Sequence, residues 1–377
     1  MNLVYICSGI SSVFDSQVLA LLRNYVENDI FDEVILLFGY RNNIEKKRLS
    51  QKQLGKIKVV YFKTFPNYPF YNLLLRKKLY NAIRSLNHDF TNYFFHIRGE
   101  IMSYFFKQVI HKMNIQTNQL LTDIRGAGIQ EIEEFANLGV AKKRLKLRNY
   151  RRSFTALKLD SKISVVSDSL KRLLSSLKMP SQNIAVNHCL VNELFRYDSE
   201  SREDIRKNFR INKDEILLIF SSGGTANWQN NEIIISLANK GIKVLNLSQK
   251  EIQHKNIINK FVSYQDVYKY LSAADCAFIW RDKSIVNEVA SPVKFSEYMA
   301  CGLPVVHNGT VDLITNITEE GVDGMLIESI SDIEVQTIKR FLLNSDRQKI
   351  SAKGLGFFEI NKIVLSYKQI YAEFRNS

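Results

Sequence analysis

The stretch Ala290–Val306, ASPVKFSEYMACGLPVV, sets a loop, a helix, a turn and a buried strand in a row. Ser291 has a hydroxyl able to accept a free backbone N–H of a first helical turn, so it reads as an N-cap. Pro292 suits the next position, where its missing N–H costs nothing. Lys294 and Glu297 are three apart and share a helix face near that N-terminus. Phe295 and Met299 fall on another face at core spacing. Gly302 is placed to end the helix in a left-handed conformation, Pro304 prevents its resuming, and Val305 and Val306 begin a strand. A helix N-terminus offers unpaired N–H groups and a partial positive charge, which suit a phosphate. Lys294 adds a full charge, and Glu297 adds an acceptor pair for two vicinal hydroxyls. Phosphate beside diol describes a nucleotide ribose or a nucleotide-sugar. The same spacing also fits an ordinary surface helix with an i,i+3 ion pair.

Upstream of that stretch, Ile216–Phe220 is an apolar strand followed by Ser221-Ser222-Gly223-Gly224-Thr225. Such a glycine turn lets backbone approach a phosphate closely. Trp228 then reads as a core anchor at the start of a helix. Val244–Leu247, Lys260–Val262 and Cys276–Trp280 read as further strands, and Asp266–Ser272 as a helix. A polar loop, Arg281–Glu288, feeds directly into the opening segment. Loops at the C-terminal ends of parallel strands are where such sheets hold ligands. Arg281 is the local candidate for a second phosphate contact, or else pairs with Asp282 or Glu288. The polar run Arg196–Lys213 reads as a surface helix and turn.

The N-terminal half opens as strand, glycine turn and helix: Leu3–Cys7, then Ser8 and Gly9, then about Asp15 to Asn28. Val34–Phe38, Val59–Phe62, Tyr93–Ile97, Leu120–Ile124 and Ile163–Ser167 continue the strands. They alternate with helical segments, so the sheet is expected to be mostly parallel. Polar clusters stand at two strand ends: His96 with Arg98, and Asp123 with Arg125. Structural ion pairs or caps would account for them equally. Gly126-Ala127-Gly128 lacks the third glycine of a dinucleotide fingerprint, since position 131 is Glu, and a dehydrogenase is set aside.

The chain has 377 residues, enough for two domains, and its 45% hydrophobic and 24% charged content is that of a globular protein. Cys7, Cys189, Cys276 and Cys301 have no metal-ligand spacing and sit in apolar stretches, so a reduced cytoplasmic setting is expected. No apolar run is long enough to span a bilayer, and the N-terminus reads as a buried strand, not a signal peptide. The net charge of +14 is lopsided. Residues 1–190 hold 29 Lys and Arg against 14 Asp and Glu, whereas the remainder holds 23 against 24. The first half should therefore be drawn to an anionic surface. Its densest segment, Lys142–Arg152 (KKRLKLRNYRR), has seven basic residues interleaved with Leu145, Leu147 and Tyr150. A basic, partly amphipathic helix can lie on anionic lipid, or simply present a solvated face. No nucleic-acid motif accompanies it.

The opening segment resembles the signature of the family 4 glycosyltransferases, P-x-K-x-x-E-Y-(small)-(small)-G-x-P-V-V, in the C-terminal domain. Val191-Asn192-Glu193-Leu194-Phe195 is similar to that family's inter-domain crossing. The resemblance implies an α/β chain of GT-B fold: two Rossmann-like domains facing each other across a cleft, at 1–190 and 191–356. The last helix, 357–377, would return to the N-terminal domain. The implied activity is transfer of a sugar from a nucleotide-sugar to a glycan or lipid-linked acceptor. It implies retention of configuration, no cofactor and, with no Asp-x-Asp in the chain, no metal. Lys294 with Arg281 would stabilise the departing diphosphate. Glu297, Ser291, Gly223 and Gly224 would hold the nucleotide, and Asn287 and Glu288 the donor sugar. His96 would position the transferred sugar or polarise a hydroxyl, brought to the donor by domain closure. Ser8, Gly9, Arg98, Asp123 and Arg125 would face the acceptor, and Asp123, Arg125 and Gly126 followed by Glu131 are similar to an element that recurs in the family. The protein would be cytoplasmic, and peripheral on the membrane through Lys142–Arg152.

The chain departs from the family at two points. The expected Arg after the first C-terminal strand is missing, and Lys240 or Lys243 would stand only as surface residues. The family's paired glutamates are eight apart, whereas Glu288 precedes Glu297 by nine. Other GT-B chemistry, a nucleotide-sugar epimerase or a glycan phosphorylase, fits the same fold. A basic protein that binds lipid or nucleic acid without catalysis is a third possibility.

Overall fold

The structure, a computed structural model, describes residues 1–115, 119–158, 162–221 and 232–374. Its two compact units are Met1–Asn187 with the segment from Val364 onward, and His188–Ile363. The first unit is built on seven strands: β1 (Asn2–Ser8), β2 (Glu33–Tyr40), β3 (Lys58–Lys63), β4 (Tyr93–Arg98), β5 (Leu120–Ile124), β6 (Ile163–Val165) and β7 (Ile184–Val186). Their order is β3-β2-β1-β4-β5-β6-β7, and the pairings are parallel. The second unit holds β8 (Leu217–Ser221), β9 (Lys243–Leu247), β10 (Ile257–Asn259), β11 (Cys276–Ile279), β12 (Val305–His307) and β13 (Gly324–Leu326), in the order β10-β9-β8-β11-β12-β13. Each sheet thus starts from its first strand and grows outward both ways, the doubly wound order of a Rossmann-like domain. Both have their switch point beside the first strand, where the C-terminal strand ends open a crevice.

The helices that shape the sites are α1 (Glu100–Lys112), α2 (Val140–Leu157), α3 (Val293–Ala300), α4 (Arg347–Phe358) and α5 (Ile360–Glu373). Burial follows the sheets: β1 and β2 are apolar runs covered on both faces, as parallel strands require. Phe295 and Met299 of α3 are fully buried in the core that also contains Leu217 and Ile219 of β8. Tyr367 and Tyr371 of α5 are buried, and Tyr371 packs edge-on against Tyr25 and Phe31 of the first unit. All four cysteines are free and buried. Among the described residues no helix is long and apolar enough to cross a membrane.

One strand is displaced from its expected place. The segment Lys260–Val262 is irregular, and the strand lies at Ile257–Asn259 instead. Phe261, whose apolarity suggested the strand, is 68% exposed, whereas Asn259 hydrogen-bonds both the N–H and the carbonyl of Ile252 through its side chain.

Candidate functional site

The opening segment forms α3 with its end as expected. Gly302 has φ +71°, and Leu303 and Gly302 donate to the carbonyls of Tyr298 and Met299, the paired bonds of a Schellman ending. A Cβ on Gly302 would also collide with the carbonyl oxygen of Arg347 in α4. The start of α3 differs from expectation. The helix begins at Val293 with Pro292 as the flanking residue, and no side chain caps it. Ser291 is not the cap: its hydroxyl accepts the backbone N–H of Cys189 at 3.1 Å, and Ser296 donates to the Cys189 carbonyl at 3.0 Å. These two serines pin the crossing segment to α3. The Phe295 N–H goes to the Pro292 carbonyl at 3.0 Å, and among the described residues no side chain caps the N–H groups of Val293 and Lys294, the arrangement an anion uses.

Lys294 and Glu297 lie together on this helix, Nζ to Oε2, at 2.8 Å. The pair is not a surface pair. The Glu297 side chain is 1% exposed, and its other oxygen, Oε1, is buried without a hydrogen-bond partner. Burial raises the Glu297 pKa, while the Lys294 ammonium pulls it down. A carboxylate oxygen in that state is an acceptor awaiting a donor, the property a vicinal diol requires.

Arg281 follows β11. Its backbone N–H is accepted by Asn308 Oδ1, while Asn308 Nδ2 and the Thr310 hydroxyl donate to its carbonyl. Neither Asp282 nor Glu288 pairs with its guanidinium, and among the described residues no ion pair engages it. Burial depresses its pKa, and the Tyr298 phenol opposes that. Tyr298 is buried in α3, and its hydroxyl accepts the N–H of Ser221 at the end of β8. Tyr298 thereby ties the first strand's C-terminal end to the helix that holds Lys294 and Glu297. Asn308, Thr310 and Tyr298 went unassigned in the sequence. Tyr298 lies inside the quoted motif, and Asn308-Gly309-Thr310 is a turn at the end of β12, so both signals were present.

The loop after Arg281 is partly helical, Ile285–Glu288, capped by the Ser284 hydroxyl. Asn287 is 5% exposed, and its side-chain amide donates to the Asp282 carbonyl. It braces the loop from within instead of offering its amide to a sugar. Glu288 is exposed. Lys240 is held by the carbonyls of Ser331 and Ile333, and Lys243 by Glu215, so neither serves as the missing phosphate cation. Gly223, Gly224 and Trp228 lie outside the described residues.

In the first unit, Asp123 at the end of β5 is 1% exposed and gathers the cluster around itself. Arg125 lies 3.5 Å from one carboxylate oxygen and Arg98 3.7 Å from the other. Burial would raise the Asp123 pKa, but Arg125, His96 and Arg98 outweigh it and hold the carboxyl far below its usual range. Arg125 also donates to the Asn187 carbonyl and to Gln17. His96 lies deeper than its strand-end position suggested. Its side chain is fully buried, its Nδ1 lies 2.7 Å from the Tyr371 hydroxyl, and Tyr5 and Tyr367 pack on its ring. It points into the protein and packs as a member of the core. Burial lowers its pKa, against the pull of Asp123. Ser8 is exposed at the end of β1, and Gly9 follows with φ +74°.

Glu100 opens α1, 7% exposed, with its carboxylate against Gly128 and the Tyr150 ring. Burial raises its pKa to about 7; its own backbone N–H opposes this and Glu131 adds to it. Glu131 folds its carboxylate over Gly126. The basic segment is helical within α2. Asn149, Ser153, Phe154 and Leu157 are buried, while Arg144, Arg148, Arg151 and Arg152 are exposed. Arg151 pairs with Glu133 at 3.1 Å.

No protein-family model matches the chain, and a comparison with curated proteins finds no match. Solved structures do match. A glycosyltransferase from Rickettsia africae aligns over 99% of this chain and 98% of its own, at TM-score 0.70 and 14% identity. Sucrose-phosphate synthase from Thermosynechococcus elongatus aligns over the whole of both chains, at TM-score 0.72 and 12% identity. HepE from Anabaena, solved with UDP, aligns over 99% of this chain and 100% of its own, at TM-score 0.68 and 13% identity. The fold is GT-B. Its two Rossmann-like units correspond to the two sheets described above, and at these identities the likeness speaks for the architecture. In this GT-B chain α3 and the end of β11 carry the second unit's candidate residues, and the ends of β4 and β5 the first unit's.

Proposed function

We propose that this chain is a glycosyltransferase of family 4 type, moving a sugar from a nucleotide-sugar to a glycan or lipid-linked acceptor. The observation that supports it most is Glu297: a buried carboxylate with one oxygen on Lys294 and the other unpartnered, one turn into an uncapped helix. Glu297 accepts the ribose hydroxyls. The free N–H groups of α3, with Lys294 and Arg281, receive the diphosphate and stabilise the charge that grows on it as the glycosidic bond breaks. With three sources of positive charge at that point, the step proceeds without a divalent metal, and configuration is retained. Exposed Glu288 meets the donor sugar. Ser8 and Gly9, with the Asp123, Arg98 and Arg125 cluster, shape the acceptor side. The exposed arginines of α2 hold the protein on the anionic inner face of the membrane in cell-surface polysaccharide synthesis.

A thermal-shift screen of UDP, GDP, ADP, CMP and dTDP sugars tests this, with and without EDTA. The HepE structures were solved with UDP and with UDP-glucose, which puts the uridine set first. At least one nucleotide-sugar should raise Tm in wild type, unaffected by EDTA, and leave Glu297→Ala unmoved. If no member of the panel shifts wild type, the proposal fails.

A further inference from the structure

The helix Asn72–Leu86 and α2 hold four and seven Lys and Arg, and neither contains an Asp or Glu. Both pack against α1, so the three helices lie side by side in the first unit. A groove runs on each side of α1. One is lined by Tyr104 with Arg144, Arg148 and Arg152 of α2, the other by Leu73, Arg76, Lys77 and Lys112, and neither lining includes a carboxylate. Among the described residues no ion pair engages Lys77, Arg144, Arg148 or Arg152. Such a surface calls for a partner rich in negative charge.

The start of the first of these helices adds a second requirement. Phe70 is 63% exposed, Leu73 70% and Leu74 45%. Single exposed apolar residues are ordinary, but three in one short run make a patch. The patch adjoins the cations of α2. Phe70 stacks on Tyr68 with ring centroids 5.5 Å apart, and Lys146 of α2 lies over the Tyr68 ring at 5.6 Å. Asn72 donates to Asn149 of α2 at 2.9 Å and so fixes the helix start against α2. Lys77 stands four and three positions after Leu73 and Leu74, on the same helix face. Its stem can lie along apolar surface while its ammonium reaches the phosphates above. A nucleic acid would meet the cations but offers no place for Phe70, Leu73 and Leu74. An anionic bilayer meets both needs, with phosphates at its surface and acyl chains just below.

We infer that these three helices form a membrane-docking face in which Phe70, Leu73 and Leu74 enter the boundary between headgroups and acyl chains, while Lys77, Arg144, Arg148 and Arg152 bind lipid phosphates. This extends the membrane contact proposed for α2 to a second element and to insertion, and it does not depend on sugar transfer. Salt screens the cations of the face but not its apolar run, so the two contributions separate.

Co-sedimentation of the full chain with vesicles of phosphatidylcholine, alone or mixed with phosphatidylglycerol, measures binding at low and at physiological salt. Wild type should bind the mixed vesicles and not the neutral ones. The triple variant Phe70→Ser, Leu73→Ser, Leu74→Ser removes exposed surface, so its Tm should match wild type, and its affinity for mixed vesicles should fall about tenfold or more. A second measurement needs no such variant. All four native cysteines are buried, so Leu74→Cys takes a nitrobenzoxadiazole label selectively. That label should brighten and shift to the blue on mixed vesicles. Wild type left in the supernatant with mixed vesicles overturns the docking face, as does binding to single-stranded RNA in place of vesicles. Equal binding by the triple variant, or a label unchanged on bound vesicles, overturns insertion and leaves the α2 arginines as a purely electrostatic contact.

Discussion

Replacing Glu297 by Gln separates a structural ion pair from a ligand seat, because the two roles predict opposite pairs of results. In the free protein the carboxylate has one partner, Lys294 at 2.8 Å, and that lysine is 25% exposed. After the substitution Lys294 can turn its charge to water. The cost of about 3–5 kcal/mol for stranding a buried charge therefore does not apply. The substitution also removes a carboxylate whose Oε1 is buried and unpartnered, a condition that costs about 1–3 kcal/mol. The two effects oppose, so the free variant should hold its stability within about 1 kcal/mol, roughly 2–4 °C in Tm for a unit of this size. Its pH response should also flatten. A carboxyl raised by burial above its ordinary 4.5 destabilises the fold as pH climbs through the raised value, and the amide cannot. Nucleotide binding should behave in the other direction. Two hydroxyl bonds to a carboxylate contribute about 1.5–3 kcal/mol each, and one neutral amide oxygen recovers about 1. The net loss of about 2–5 kcal/mol is roughly 30- to 4,000-fold in Kd. Calorimetric titration of the nucleoside diphosphate identified in the screen, beside thermal melts without ligand, measures both. A free variant that melts more than about 10 °C lower, with affinity unchanged within threefold, would make the pair structural and refute the argument.

Two further outcomes follow from the same geometry. Gly302→Ala must hold a left-handed residue, at about 1–2 kcal/mol, and force a methyl against the Arg347 carbonyl. Urea unfolding should show a loss of 3 kcal/mol or more; a loss under 1 would mean that the α3–α4 junction yields freely. Glu100→Gln should stabilise the protein, by up to about 3 kcal/mol at pH 8, because the wild-type carboxyl, raised from 4.5 to about 7 by burial, costs stability as pH rises between those values. The urea midpoint of wild type should fall across that interval and the variant's should not; parallel curves would show that Glu100 ionises freely.

Local pattern announced the strands, because a parallel strand covered on both faces is a short apolar run, and β1, β2 and β8 are such runs. It announced α3, Gly302 and the Lys294–Glu297 pair, because each rests on neighbours within one or two helical turns. What it missed was decided at long range. Ser291 looked like a cap since serine before proline at a helix start usually is one, but Cys189, a hundred positions earlier, claims its hydroxyl. His96 looked available because it stands near a strand end; Tyr367 and Tyr371, from the last helix, close over it. Arg206 looked like part of a surface helix, yet it is 7% exposed and reaches the carbonyls of Asn212, Glu215 and Ala273 and the carboxylate of Asp275. Asn287 looked like an exposed loop residue, and its amide braces that loop through the Asp282 carbonyl. In each case the fold uses inside the protein a polar side chain that local sequence left free.

That lesson also separates spent polar groups from unspent ones. Ser291, Asn287, Lys240 and Arg206 have partners inside the protein. Glu297 Oε1, the Arg281 guanidinium and the uncapped turn of α3 do not, and they converge on one helix and the strand end beside it. An unpaired buried group costs about 1–3 kcal/mol, and a missing cap about 1, against a net stability of about 5–15 for a domain. Local rules broken together at a strand end, in a sheet order that opens a crevice there, support the proposed anion and diol at α3.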